Sequence, residues 1–342
     1  MAKIAIIFPR FSGPYGGENI AINTAGELDN LGHRVDLYTT YFSQDIRRFI
    51  KPTVKIIESP RLVINNHNLA NFFVYFFMPV LASKIKGSYD LILGQTWQAA
   101  LALWWLKVIK RTKAKLIYHC FEPPRFLYDL KKERGLLAKL ISPIIKPMDK
   151  IAVKFGNHTI ISISDLVRKW VKEIYQRDSV IVYPGVEVER FQKYSCKEAR
   201  RRLGLKKDEE IFLSVSKLHP RKRLKWAMRI YKRTRRDQNS LLIIAGSGPY
   251  ENELKKYAQK IGITDRTRFI GVISGEAVVL YNAAADYFLF TAKNEPFGIA
   301  PQEARVAGVK VLPKGRPYPI LTWQESTKNL LSKIGLDDKQ QL

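Results

Sequence analysis

Two cysteines, Cys120 and Cys196, are all that this 342-residue chain contains. Two thiols build neither a disulfide framework nor a four-ligand zinc site of the paired-cysteine type, so a reducing, intracellular setting is expected. Long apolar runs are scarce as well. The longest stretch free of Lys, Arg, Asp and Glu runs from Leu62 to Ser83. Asn65, Asn66, His67, Asn68, Asn71 and Pro79 interrupt it, leaving less than the roughly 20 continuous apolar residues of a spanning helix. It reads as a buried or interfacial helix. The opening MAKIAIIF passes straight into a strand-like run, without the basic, apolar and small-residue regions of a signal peptide. Negative charge is also short: 31 acidic residues face 58 basic ones, a net of +27. That balance draws the chain to polyanions, whether nucleic acid, an anionic membrane surface or phosphate-bearing small molecules.

What is present is the composition of a folded protein, 46% hydrophobic and 26% charged, with length for two domains. Short β-branched runs recur, each followed by an amphipathic helical pattern, as in parallel α/β architecture. The first half offers Ile4–Phe8, Val35–Thr39, Leu91–Leu93, Leu116–His119, Thr159–Ile163 and Val180–Tyr183. The second offers Ile211–Val215, Leu241–Ala245, Arg268–Ile270, Tyr287–Phe290 and Val309–Leu312. Several lack alternation, as strands covered on both faces do. The expected division is 1–184, 185–319 and a helical segment 320–342. Both halves are basic, and Lys197 to Arg236 alone holds 16 basic and 4 acidic residues.

Three segments have the makings of a site. A glycine-rich turn, Pro9 to Glu18 with Gly13, Gly16 and Gly17, links a strand to a helix pattern. Such a turn lets backbone N–H groups approach an anion, although an ordinary loop needing positive φ explains it equally. The strand Ile211–Val215 runs into Ser216-Lys217-Leu218-His219-Pro220-Arg221-Lys222, beyond the carboxyl end of a parallel strand, where open α/β sheets bind ligands. Lys217 and Lys222 there can stabilise charge growing on a departing diphosphate; Arg221, Arg223 and the run to Arg236 fit a solvated basic face better. Then Asn294-Glu295-Pro296-Phe297-Gly298-Ile299-Ala300-Pro301-Gln302-Glu303 follows an apolar strand. Glu295 and Glu303 can accept hydrogen bonds from two parts of one polyhydroxyl ligand, while the N–H groups from Phe297 to Ile299 face an anion. The alternative for Glu303 is a surface helix residue.

These pieces together resemble the retaining group 1 glycosyltransferases, glycosyltransferase family 4, whose GT-B fold is α/β, with two facing Rossmann-like doubly wound domains and a cleft between them. The resemblance rests on SKLHPRK, LLIIAGSGPYENELKKYA, RFIGVISGE, LYNAAADYFLF and NEPFGIAPQEA, in the family's order over about Val180 to Leu312. GGENIAINTAGELDNLGHRVDLYT and SISDLVRKW…VIVYPGVEVERF agree more loosely.

By that similarity Lys217 and Lys222 hold the diphosphate of a UDP- or GDP-sugar donor, with Lys217 standing where the family usually has Arg. Glu295 contacts sugar hydroxyls, Glu303 the ribose, and the Phe297-Gly298-Ile299 backbone lies near the donor. Gly16 and Gly17 admit the phosphates, and Ile270 to Ile273 backs onto the nucleobase. His119, ending LIYHC, looks like the acceptor-side histidine of relatives that build lipid-linked or cell-surface glycans; its alternative is a strand-end histidine satisfied by backbone. A Cys-His pair with Cys120 is disfavoured, since neighbours on a strand point to opposite faces. The implied reaction is a retaining hexosyl transfer by front-face displacement, without a cofactor, catalytic metal or covalent sugar–enzyme adduct, to a glycan or lipid-linked acceptor. Asn71–Ser83 and Trp97–Trp105 would suit docking on an anionic leaflet, or else are core helices. The expected place is the cytoplasm, peripheral on the inner membrane face.

The family pattern breaks between Arg316 and Ile320, where one or two α/β units are missing before the Thr322-Trp323 helix start; by the same resemblance the segment 320–342 crosses back to the first domain. A degenerate, inactive relative is therefore an alternative. So is a nucleic-acid-binding α/β protein resting on the charge, although no such motif is present.

Overall fold

The computed structural model describes residues 1–13, 16–64, 67–128, 136–156, 158–235, 239–315 and 318–336. Pro14, Tyr15, Asn65, Asn66, Arg236, Arg316 and Pro317, which figure in the sequence reading, lie outside the described residues. The chain divides into two compact units, Met1–Gly185 with Trp323–Leu342, and Val186–Thr322.

In the first unit β1 (Lys3–Ile7), α1 (Gly16–Asn30), β2 (Arg34–Thr39), β3 (Lys55–Glu58), α2 (His67–Ser83), β4 (Leu91–Gln95), α3 (Ala99–Val108), β5 (Lys115–Cys120), α4 (Arg125–Tyr128), α5 (Leu136–Phe155), β6 (Thr159–Ser162), α6 (Asp165–Tyr175) and β7 (Val180–Ile181) follow one another. They form a parallel seven-stranded sheet in the order β3-β2-β1-β4-β5-β6-β7. Ile4, Ala5, Ile6 and Ile7 of β1 are fully buried because helices cover both faces of this central strand. Strand β3 was not anticipated from the sequence. It is a four-residue edge strand with charges at both ends, half-exposed, and so lacks the apolar run that marks the others.

Local chemistry sets the helix limits. Ser164 caps α6 by accepting from the Val167 N–H, a contact of about 1 kcal/mol, and Gln176 ends it in the left-handed region. Trp97–Trp105 takes the core-helix alternative: Trp97 is buried and stacks on Tyr75 with ring centroids 5.0 Å apart, and Ala99 to Leu103 are buried too. Among the described residues no helix is long and apolar enough to cross a membrane. Behind β5, the fully buried Asp149 of α5 accepts hydrogen bonds from Tyr128 (2.7 Å) and Tyr175 (2.9 Å). Burial pushes its carboxyl up to about 7, against the pull of the two phenols and Lys150.

The second unit runs through α7 (Val188–Phe191), α8 (Cys196–Leu203), β8 (Glu210–Val215), α9 (Leu224–Thr234), β9 (Ser240–Ala245), α10 (Glu251–Lys260), β10 (Thr267–Gly271), α11 (Glu276–Ala284), β11 (Tyr287–Leu289), α12 (Ile299–Val306) and β12 (Lys310–Leu312). Its parallel sheet has the order β10-β9-β8-β11-β12 and ends at β12. The last helix, α13 (Trp323–Lys333), belongs to the first unit, where it packs against α1 and Ser326 donates to the Tyr183 carbonyl at 2.7 Å.

The basic segment Lys197–Arg236 is not one free patch. Arg200 is 7% exposed and donates to the Ala284 and Lys207 carbonyls and to Asp286 (2.7 Å). Arg202 pairs with Glu198, Lys222 with Glu295 and Lys225 with Glu253.

Candidate active site

Each sheet reverses its strand order once, between β1 and β4 in the first unit and between β8 and β11 in the second. Ligands of doubly wound sheets bind beyond the carboxyl ends of the strands at this switch point. Most of the candidate residues stand at these two places.

In the second unit the turn after β8 and the loop after β11 leave neighbouring strands. This adjacency unites two candidates 73 positions apart: Lys222 Nζ lies 2.9 Å from both carboxylate oxygens of Glu295. Both side chains are about one quarter exposed, at 25% and 27%. The backbone around Lys222 is a single 3-10 turn, Pro220–Lys222, started by His219, whose side chain accepts from the Arg221 N–H. Thr291, just past β11, donates to the Lys222 and Arg223 carbonyls at 2.9 and 3.1 Å. Thr291 did not stand out in the sequence; a threonine after an apolar strand carries no distinguishing signal. Lys217 is exposed on the same turn.

That turn rests on another loop. Leu218 N–H donates to the Ser247 carbonyl (2.9 Å), and Tyr250 N–H to the Leu218 carbonyl (3.2 Å). A Cβ on Gly246 would lie 1.9 Å from the Ser216 carbonyl oxygen, and one on Gly248 2.3 Å from that of Leu218. Both glycines also have positive φ, 131° and 158°, so any side chain there displaces the turn that carries Lys217 and Lys222. Sequence reading caught these glycines as part of a motif but not as its support.

The loop after β11 bends at Asn294, in the left-handed region with φ 56°. Phe297 is buried and stacks on Tyr318 at 5.0 Å, so its side chain anchors the loop and its backbone is what remains to meet a ligand. Gly298 caps α12 with φ 79°, and a Cβ there would come within 2.9 Å of the Phe290 ring. Ile299 opens α12, whose N-terminal N–H groups favour an anion. Glu303 lies one turn further along and is partly buried, not a free surface residue. Burial pushes its carboxyl up to about 7; Arg190 opposes the shift and Glu187 adds to it.

In the first unit, Gly16 and Gly17 open α1 beyond β1. Space at Gly17 is bounded by Phe121 and Phe8, 3.7 and 3.9 Å from where a Cβ would be. Next to them Glu18 receives a 3.4 Å hydrogen bond from Ser12, and burial pushes its carboxyl up to about 7. His119, near the end of β5, is buried with the Phe121 ring edge-on at 4.8 Å. Its Nδ1 lies 3.4 Å from the amide nitrogen of Gln95, the β4 residue in register with it. An amide nitrogen can only donate, which puts the imidazole proton on Nε2. Among the described residues Nε2 and Gln95 Oε1 are buried without a partner, so the backbone-satisfied alternative fails for Nε2. Burial lowers the imidazole to about 3, leaving a neutral hydrogen-bonding group. Cys120 is buried, and its thiol is pushed far up.

The first unit matches the family model described as glycosyltransferase family 4 over residues 14–190, and the second matches glycosyl transferases group 1 over residues 195–313. The chain belongs to the group 1 glycosyltransferases of family 4. An alpha-monoglucosyldiacylglycerol synthase of Streptococcus pneumoniae is 27% identical over 303 residues, which cover 85% of this chain and 66% of that relative. The chain thus spans just under two thirds of that protein. Sucrose-phosphate synthase from Thermosynechococcus elongatus superposes with a TM-score of 0.72 at 20% identity, covering 98% of this chain and 90% of that one. Anabaena HepE, solved in complex with UDP and glucose, gives a TM-score of 0.68 at 18% identity, with 99% and 91% covered. These likenesses assign the GT-B fold, with its two Rossmann-like domains.

Proposed function

We propose that the chain transfers a hexose from a nucleotide-diphosphate sugar, UDP- or GDP-linked, to a glycan or lipid-linked acceptor with retention of configuration. The observation that carries this reading is the Lys222–Glu295 pair beyond β8 and β11, at the switch point of the second sheet. Lys222, with Lys217 on the same turn, stabilises the departing diphosphate. Glu295, held by Lys222 until donor arrives, accepts from sugar hydroxyls. Glu303 accepts from the ribose, and the Phe297-Gly298-Ile299 backbone at the start of α12 borders the phosphates. In the first unit Gly16 and Gly17 leave room for phosphate, and His119 offers a neutral Nε2–H to a hydroxyl.

Charge develops on the leaving diphosphate as the sugar bond breaks. Fixed cations aimed at it are worth about 10² to 10³ in rate each. The acceptor hydroxyl attacks from the face that diphosphate leaves, its proton passes to the leaving phosphate, and no sugar–enzyme bond forms. UDP and glucose in HepE favour a UDP-sugar, and the diacylglycerol in the pneumococcal relative's name favours a lipid acceptor.

A panel of UDP- and GDP-sugars, scored for nucleotide release with and without lipid acceptors, tests the reading. Turnover of one donor is expected. No turnover of any donor points to the degenerate relative, and a trapped covalent sugar adduct would sink the front-face route.

A further inference from the structure

Helices α2, α3 and α5 form one layer on the first sheet, α3 packing against the other two. Helix α3 buries Ala99 to Leu103 and leaves Val108 exposed at its end, while its neighbours leave whole rows of apolar side chains in water. On α5, Leu140 (67% exposed), Ile144 (58%), Ile151 (45%) and Phe155 (62%) follow a helical spacing. At 100° per residue they fall within an arc of about 60°. Phe73, Phe76 and Val80 on α2, also exposed, fall within a similar arc. Isolated exposed apolar residues are ordinary; two aligned stripes on one helical layer mark a binding face.

Charge selects the occupant. Helix α2 contains no charged residue, and the one carboxylate of α5, Asp149, is buried. Lys146, Lys150 and Lys154 recur every four residues along one flank of the α5 stripe. A second copy of the chain would bring the same lysines and its own net charge of +27, and like charges facing each other oppose that contact. An anionic leaflet satisfies both features, taking the apolar stripe below its headgroups and the lysines at headgroup level.

We propose that the outer face of α2 and α5 docks on the surface of an anionic lipid bilayer. It differs from the expected docking surface in two ways: α5 replaces the Trp97–Trp105 helix, and α2 contributes just one of its faces. Helix α5 carries Pro143 and Pro147 within it, residues that disfavour a helix interior, and it did not figure among the expected docking segments.

Flotation with phosphatidylglycerol–phosphatidylcholine vesicles tests the proposal without requiring turnover, so its failure leaves the donor site untouched. The wild-type chain is expected to float with the mixed vesicles at low salt and not with phosphatidylcholine alone. Lys146→Ser, Lys150→Ser and Lys154→Ser together should weaken binding about a hundredfold, roughly fivefold per lysine. Removing three exposed lysines of the second unit (Lys206→Ser, Lys207→Ser and Lys256→Ser) should change it far less. Ile144→Ser with Ile151→Ser should release the protein even at low salt, and a fluorophore on Ile144→Cys in a Cys196→Ser background should shift to the blue on vesicles. No flotation at low salt, equal loss from the second-unit lysines, or an unshifted fluorophore would each overturn the proposal. So would a dimer that Ile144→Ser dissociates while vesicle binding is absent.

Discussion

Exchanging Lys222 and Glu295 for each other separates a structural pair from a donor-binding pair. In the free protein the two side chains meet at 2.9 Å and are about one quarter exposed. Such a partly shielded pair contributes about 1 kcal/mol to folding, near the top of the range for exposed pairs. Lys222→Ala and Glu295→Ala should each lower stability by about that much, and the double variant by little more than either. Lys222→Glu combined with Glu295→Lys restores opposite charges at the same place and should recover most of the coupling, read as the midpoint of urea unfolding. Activity should behave otherwise. Lys222→Ala removes a cation from the leaving diphosphate and is expected to lower kcat about 10² to 10³ fold, or about 3 to 4 kcal/mol of barrier. The exchanged protein sets a carboxylate against the diphosphate and should be no better than Lys222→Ala. Wild-type kcat in the stable, exchanged protein would refute the assignment of both residues to the donor.

The other expectations concern the supports of the site and its buried acids. Gly246→Ala or Gly248→Ala drives a methyl into a backbone carbonyl, so each should cost several kcal/mol in urea unfolding or displace the Lys217–Lys222 turn; Gly262→Ala, also at positive φ but with nothing within 4 Å, should cost about 1 kcal/mol in the same assay. Asp149, raised from 3.8 to about 7, gives its full stability below pH 4. As pH rises to 7 the unfolded chain releases this proton first, so wild type should lose ~1.4 kcal/mol per unit, ~4 kcal/mol in all, relative to Asp149→Asn. Glu303 gains its charge near pH 7, and the carboxylate is the better acceptor for ribose hydroxyls. Donor KM should therefore fall between pH 6 and 8 in wild type and stay flat in Glu303→Gln. His119 titrates near 3, so His119→Ala should lower kcat/KM without removing a limb of its pH profile between 5 and 9.

Strands with uninterrupted apolar runs, such as Ile4–Ile7 and Leu241–Ala245, were legible because burial on both faces leaves no polar position to break the run. The edge strand β3 was not, since its two isoleucines are flanked by charges and stay partly exposed. The site divides in the same way. Lys222, Glu295 and Gly298 were legible from loops that follow strands. The meeting of Lys222 with Glu295 was not, because it depends on β11 lying beside β8 while β9 and β10 lie on the other side. Gln95 escaped notice for a related reason: a glutamine at a strand end acquires meaning from the neighbouring strand's histidine. Position along the chain shows which residue types are available, and strand order decides which of them share a ligand.

The seat that Gly246 and Gly248 provide for the turn after β8 bears on any engineering of that turn. Residues 216–223 and 246–250 are two halves of one part, pressed together with no space for a side chain at Gly246 or Gly248. Grafting the first segment from a relative would transplant a shape cut to fit that relative's glycine loop. A library that brings any residue but glycine to 246 or 248 would fill with misfolded members whatever side chains stand at 217–222. Varying both segments as a matched set keeps the backbone fit while the side chains of the turn change.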